Sequence, residues 1–356
     1  MSQDLLNTYV IGFDRSIRET VEVKGGKLRP YVQLATGDLY RKEGVYQRTT
    51  GGGLPEVVTN RFGDSPVSEL DYSRRRTTRT AFQDGQFMDW ADLSKMGTDP
   101  RNAKLNAMKN KFLRREDLTI DQAILGGAQS NDLSSSAASF TYLNPTVSSV
   151  HDGTTEVDKG FTYEKFLNTL KQFGNNNVDV ESLAPVFKIS WQSWRDMMAQ
   201  DEFQNFDYTA SRPIDRSAGQ IYDYMGAKFC VTNIIPYFGA NTCKVGNGDA
   251  STPSTTVGDL KIAEADIDSA TGSWKAVSVN DGSDPAVAQN YRANYAFAPS
   301  AALFEVNPDM TTKVSERADK GFNYYAYMKA EFGAVRMEEE KVVVIPCVES
   351  GDVTSS

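Results

Sequence analysis

Apolar and polar positions along the chain follow a helical rhythm in three places and a strand rhythm in several others. The longest helical run is 99–126, where Leu105, Met108, Phe112, Leu113, Ile120 and Ile124 recur at three- to four-residue spacing on one side. Asp99 can cap its start, Pro100 suits the first helical position, and Gly126-Gly127 supplies a stop. A helix of this length runs on the order of 40 Å, long for an element inside one compact body. Its other side carries Lys104, Lys109, Lys111, Arg114, Arg115, Glu116, Asp117 and Asp121 and is expected to face solvent or a neighbour.

Two shorter helices are predicted after it. In 161–173, Thr162 caps a stripe of Phe166, Leu167, Leu170 and Phe173, and a second helix covers 191–199, with Asp196, Asp201 and Glu202 on a solvated face. Strands are expected at 185–190, 228–235 and 322–331, and a strand followed by a short helix at 290–306. The closing segment through Gly333 is expected to pair with 322–331. Asp84–Leu93 reads as a short helix or turn that points Phe87, Trp90 and Leu93 inward.

The N-terminal part is of another kind. A short amphipathic helix fits Met1–Gly12, and residues 18–45 alternate loosely, with Gly25-Gly26 as a turn. Residues 49–85 then hold two Thr-rich extended pieces, around EVVTNRF and YSRRRTTRTAF, joined through Gly and Pro. This predicts a long projecting hairpin, which is marginal alone and needs a partner chain to cover it. Arg74, Arg75, Arg76 and Arg79 crowd its second arm and are expected to pair with acidic residues of neighbouring subunits. Helix and strand in mixed order over 160–240 make an α/β body, while 242–284 is a polar, Gly- and Ser-rich stretch.

Charge narrows the function. With 47 acidic and 38 basic residues, the net charge of -9 argues against a general nucleic-acid binder, though not against a wall that encloses nucleic acid without gripping it. Three cysteines, Cys230, Cys243 and Cys347, lack metal-ligand spacing, and a Cys230–Cys243 disulfide stays open; the single histidine, His151, lies in a polar loop. TTGGG at 49–53 lacks the GK[ST] of a phosphate loop, and GNGD (246–249) and DGSD (281–284) are incomplete as calcium loops. No catalytic, cofactor or metal constellation emerges, no run is apolar enough to span a membrane, and the start lacks a signal peptide. An assembly protein is favoured over an enzyme, with a receptor-binding or adhesion protein as the other non-enzyme class.

The order of segments resembles the major capsid proteins of tailed double-stranded DNA bacteriophages, with the Hong Kong 97-like α+β fold. The resemblance rests on DPRNAKLNAMKNKFLRREDLTIDQAILGGA, FTYEKFLNTLKQFGNNNV, APVFKISWQSWRDMM, the Gly219, Tyr222, Tyr224, Gly226 pattern ahead of KFCVTNIIP, and RADKGFNYYAYMKAEFGAVRMEEEKVVVIP. It implies an N-terminal arm (1–48), an extended loop hairpin (49–85), and a peripheral domain with its spine helix (86–160, helix 99–126). An axial domain (161–289) follows, with an axial loop or insertion at 242–284, and then a return to the peripheral domain in terminal strands (290–356). It further implies self-assembly of pentamers and hexamers into an icosahedral virion shell around double-stranded DNA, in the host bacterial cytoplasm, with no enzymatic role. Separate scaffolding, portal and cement or decoration proteins are implied as partners, with procapsid maturation; an encapsulin-like shell around protein cargo is the alternative. Arg74, Arg75, Arg76, Arg79, Lys109, Arg114 and Arg115 are the expected inter-subunit contacts. No lysine–asparagine cross-link partners can be placed.

Overall fold

The computed structural model describes residues 25–35, 41, 43–50, 54, 57, 70–88, 101–130, 139–141, 143, 160–200, 203, 223–236, 267–268, 273–274 and 291–348. In chain order these form strands β1 (Gln33–Leu34), β2 (Glu43–Thr50), β3 (Asp71–Thr78) and β4 (Thr80–Met88), then helix α1 (Arg101–Leu125) and strands β5 (Ala128–Ser130) and β6 (Ser139–Thr141). Helices α2 (Tyr163–Asn175) and α3 (Val180–Leu183), strand β7 (Val186–Ile189), helix α4 (Trp191–Met198) and strands β8 (Asp223–Tyr224) and β9 (Ala227–Val231) follow. Two short pieces, β10 (Ile267–Asp268) and β11 (Ser273–Trp274), pair with each other. The chain closes with β12 (Tyr291–Phe297), β13 (Ala302–Val306), β14 (Thr311–Arg317), β15 (Asn323–Arg336) and β16 (Val342–Val348).

β15 is the axis of the first sheet. One edge is taken by β14 over Asn323–Lys329 and by β13 over Phe332–Arg336, while β4 pairs along the other edge and parallel β1 extends β13. A second sheet runs β2-β3-β5-β6, and a third runs β16-β12-β7-β9-β8, with β7 and β9 parallel. Helix α1 packs Met108, Phe112, Ile120 and Ile124 against Ala326, Met328 and Phe332 of β15, in a core that also receives Val186, Tyr295, Val342 and Val344 from the third sheet. The alternate residues of that sheet, Phe187, Ala296, Val343 and Ile345, face a second core with Phe166 and Phe173 of α2 and Met197 of α4. A sheet covered on both faces needs near-continuous apolar strands, which is what VFKI and VVVI supply.

Helix caps follow the sequence. Thr162 accepts from the Lys165 amide at 3.3 Å, and Ser190 does the same for Ser193 at 3.1 Å, starting α2 and α4. Asp99 and Pro100, the Met1–Gly12 helix, EVVTNRF apart from Val57, His151, Cys243 and the two Gly-Asp loops lie outside the described residues. Cys230 and Cys347 are buried thiols.

Several expectations are corrected. The 84–88 segment is the end of β4 rather than a helix or turn, so strand alternation leaves Phe87 47% exposed and buries Met88. Residues 302–306 form a strand between β1 and β15, buried at all but its last position, where a helix was expected. β15 continues unbroken through Gly333, and the polar stretch 337–341 then carries the chain to the third sheet. β16 therefore pairs with β12 instead of with 322–331. Gly333 is needed because a Cβ there would sit 2.6 Å from the Thr78 carbonyl oxygen, where the β3–β4 junction crosses β15. Gly25-Gly26 is a crossing point on α1 rather than a simple turn. Asp196 is buried, hydrogen-bonded to Gln192, instead of solvated.

Candidate assembly surface and the ion pairs that support it

The second sheet contains the predicted hairpin. β2 and β3 pair from Glu43↔Thr78 to Thr50↔Asp71, so the first arm of the ribbon is 43–50. Only Arg79 separates β3, in the second sheet, from β4, in the first. β5 touches β3 at Arg75↔Ser130, so among the described residues the ribbon has two strands alone from Arg74 outward. Its outer part shows apolar side chains to solvent: Tyr72 is 63% exposed, Leu54 95% and Val57 85%. A two-stranded ribbon with uncovered apolar groups is marginal in isolation and gains by covering them with another surface.

The root of the ribbon is held by charge. Arg75, 3% exposed, donates to Glu339 at 2.7 Å, and Arg48 donates to the same carboxylate at 3.0 Å and to the Met337 carbonyl at 3.2 Å. Arg76 pairs with Glu43 across the ribbon. Arg79 donates to the Asn307 and Arg41 carbonyls and lies 3.6 Å from Glu331. On the other side of the root, buried Glu305 accepts from Arg41 at 3.0 Å and from the Tyr46 hydroxyl, whose acidity is pushed down first by burial and then by this carboxylate. These charge-assisted bonds fix the ribbon's base to β13 and to the turn before β16.

A second set of contacts ties the N-terminal segment and the third sheet to α1. Gly25 and Gly26 lie directly on the helix: a Cβ at Gly25 would meet the Arg114 amide nitrogen at 2.3 Å, and the Gly26 amide donates to the Leu113 carbonyl at 3.2 Å. The amides of Lys27 and Leu28 donate to Asp117 at 3.3 and 3.1 Å, and Lys27 Nζ reaches the Val231 carbonyl in the third sheet at 2.6 Å. Arg29 bridges Glu116 at 3.3 Å and Asp309 at 2.8 Å. One turn on from Asp117, Asp121 accepts from Lys188 Nζ at 2.6 and 2.7 Å and from the Tyr295 hydroxyl at 2.5 Å.

Glu116, Asp117 and Asp121 are thus buried, contrary to the solvent-facing side expected for them. The physical reason is that α1 is covered on two sides, by β15 on one and by the N-terminal segment and the third sheet on the other. Burial raises the Glu116 carboxyl to about 7, with Arg29 pulling the other way; it also raises Asp117 and drives the Tyr295 phenol well up. Arg336, fully buried, donates to the Ile124 and Gly126 carbonyls at 2.6 Å each and so satisfies the open C-terminal end of α1.

The seven basic residues singled out from sequence therefore divide. Arg75, Arg76 and Arg79 have carboxylate or carbonyl partners within their own chain, at the ribbon's root. Arg74 is half-buried in the ribbon opposite Gln47, and Lys109 is exposed on α1. Arg114 is half-buried; Arg115 lies over the Phe82 ring, 4.6 Å from its centroid. Arg76 and Arg115 come together in one cleft. Sequence reasoning missed Arg48, Lys188, Glu339 and Arg336. The signal available was a charged residue set inside an apolar strand, as in VFKI, which has to be paired if it is buried.

Among the described residues no group of His, Cys, Asp and Glu could hold a metal ion, and no helix is long and apolar enough to cross a membrane. A family model described as phage capsid protein matches residues 5–349. No curated protein matches the chain. Among solved structures, the capsid of cyanophage P-SCSP1u is similar at 9% identity and a TM-score of 0.61, covering 97% of this chain and 94% of that one. The capsid of Ralstonia phage GP4 is similar at 10% identity and a TM-score of 0.58 (98% and 97% covered), and a Mycobacterium phage Che8 structure at 12% and 0.56 (95% and 97%). At these identities the likeness speaks for the fold, which is the Hong Kong 97-like α+β capsid architecture. The match over nearly its full length shows that the chain belongs to the phage capsid protein family.

Proposed function

We propose that the chain is the major capsid protein of a tailed phage, assembling as pentamers and hexamers into the icosahedral head shell around double-stranded DNA. The observation that carries this reading is the contrast between a body with two cores and a ribbon whose apolar side chains Leu54, Val57 and Tyr72 stand uncovered. Such a ribbon is suited to lie on a neighbouring copy, and many modest contacts of this kind sum to a stable closed shell. In this reading α1 and the first sheet form the peripheral part, and α2, α4 and the third sheet form the axial part. Because β12 and β16 sit in the third sheet, residues 290–356 serve both. Arg74, Lys109 and Arg114 are offered as contacts between subunits or toward the shell interior. Scaffolding, portal and decoration proteins, and assembly in the bacterial cytoplasm, belong to the same proposal.

The test is expression of the chain with and without residues 52–66, followed by size-exclusion chromatography and negative-stain microscopy. The full chain is expected to give closed shells and the deletion folded subunits that close poorly. Equal yields of equally stable shells would refute the role given to the ribbon.

A further inference from the structure

The first sheet buries one face against α1 and leaves the other open. Along β15, Tyr324, Ala326 and Met328 belong to the core, so Tyr325, Tyr327 and Lys329 face away from it. On that outer face the Tyr325 ring sits against Phe87 of β4, with centroids 4.6 Å apart, and stacks on Tyr327 at 6.1 Å. Arg317 of β14, which donates to Asp319 at 2.9 Å, closes one end of the row, 5.4 Å from the Tyr325 centroid and 5.8 Å from that of Phe87. Gly85, opposite Tyr327, leaves room for the Tyr325 hydroxyl, and the Tyr327 hydroxyl donates to Gln83 at 3.0 Å. The rings are thus held in place by their own sheet, and they are accessible: Phe87 is 47% exposed, and Gln83, Lys313 and Lys329 around them are exposed as well. A fixed aromatic row open to solvent marks an interaction surface.

We infer that this row receives the outer part of the ribbon of a second copy of the chain. The inference rests on the self-assembly reading above and names the surface on which the ribbon lands. Three observations carry it. The ribbon shows Leu54, Val57 and Tyr72 uncovered, so each surface supplies the apolar cover that the other lacks. Charge is complementary too: residues 51–71 hold Glu56, Asp64, Glu69 and Asp71 against Arg61 alone, while the outer face carries Lys313, Arg317 and Lys329 against Glu331. Finally, a chain does not reach its own row. β3 and β4 do not pair with each other and have one residue between them, so the chain runs on through Arg79 without doubling back. At about 3.3 Å per residue, Asp71 and Phe87 end a line on the order of 50 Å long, with the ribbon's outer part beyond Asp71. Donor and acceptor surfaces at opposite ends of one chain make a head-to-tail contact, the kind that closes copies into rings.

The test assembles shells from ordinary chains carrying p-benzoylphenylalanine in place of Phe87 and probe-free ¹⁵N-labelled chains. After irradiation, mass spectrometry reads which peptides are joined. Adducts from position 87 to labelled peptides within 51–72 are expected, and they should be lost when shells are dissociated before irradiation. Adducts to any other segment, to unlabelled peptides alone or to nucleic acid would overturn the inference. So would an absence of adducts at position 87 while the same probe in place of Val57 links between chains. Each of these outcomes leaves shell assembly standing. Charge supplies an independent reading. Lys313→Glu with Lys329→Glu, both at exposed positions, should keep the subunit's melting temperature and cut the yield of shells by about tenfold or more. Adding Glu56→Lys with Glu69→Lys should bring the shells back. Shells unaffected by the first pair, or not restored by the second, would count against this contact. Wild-type chains that form no shells would instead bring down the assembly reading, and this contact with it.

Discussion

Lys188 stands in a four-residue strand whose other members are all apolar, yet it is as buried as they are. Burial of an ammonium is tolerable only because Asp121 meets it with both oxygens, and Tyr295 satisfies the same carboxylate. Lys188→Met should therefore destabilise the subunit by about 3–5 kcal/mol, since it strands Asp121, while adding Asp121→Leu should recover much of the loss. Equilibrium denaturation of the three variants checks this; a double variant as unstable as the single would contradict it. Glu116 gives a pH signature. Its carboxyl is raised from 4.5 to about 7, so the folded state holds that proton more tightly than the unfolded chain. The resulting stabilisation is present below 4.5 and is lost as pH rises through about 7. Asp309 acts oppositely: its hydrogen bond with Arg29 lowers its pKa, and the stability it gives is lost as pH falls below 3.8. Glu116→Gln is expected to match wild type at pH 5 and melt higher at pH 8. A variant less stable than wild type at pH 8 would show that the charged pair with Arg29 outweighs burial.

At the level of elements, the N-terminal segment is attached where two glycines let it touch α1. Gly25→Val cannot be accommodated, because its Cβ would sit within 2.5 Å of helix backbone atoms. The expected result is a folded body with faster tryptic cleavage at Lys27; unchanged protection would mean that the segment is held elsewhere. The elements most legible in the sequence were those whose register is set locally. The Leu105–Ile124 stripe, the Thr162 cap and the VFKI strand were visible because short-range spacing determines them. The strand at 302–306 and the pairing of β16 were not, because AALFEV and VVVI satisfy either a helix or any buried strand until a partner is chosen. The buried acids of α1 were illegible for a related reason: a charged helix face reads as solvated unless the sequence also reveals Lys27, Arg29 and Lys188 converging on it from distant segments. Arg75 illustrates the same limit, since its partner Glu339 lies in the turn before the last strand.

For the whole molecule, the family, the fold and the uncovered ribbon point one way: the chain is built to be completed by copies of itself. The body's two cores share the third sheet, and α1 is tied to that sheet through Asp121 and, by way of Lys27, through Asp117. Among the described residues the ribbon shows no comparable internal support beyond its root. The most direct measurement is a cryo-electron microscopy map of particles formed by the purified chain. It should show a closed icosahedral shell in which Leu54, Val57 and Tyr72 of each ribbon are covered by a neighbouring subunit. A particle in which the ribbon folds back on its own body, or a chain that stays monomeric under every assembly condition, would contradict that claim.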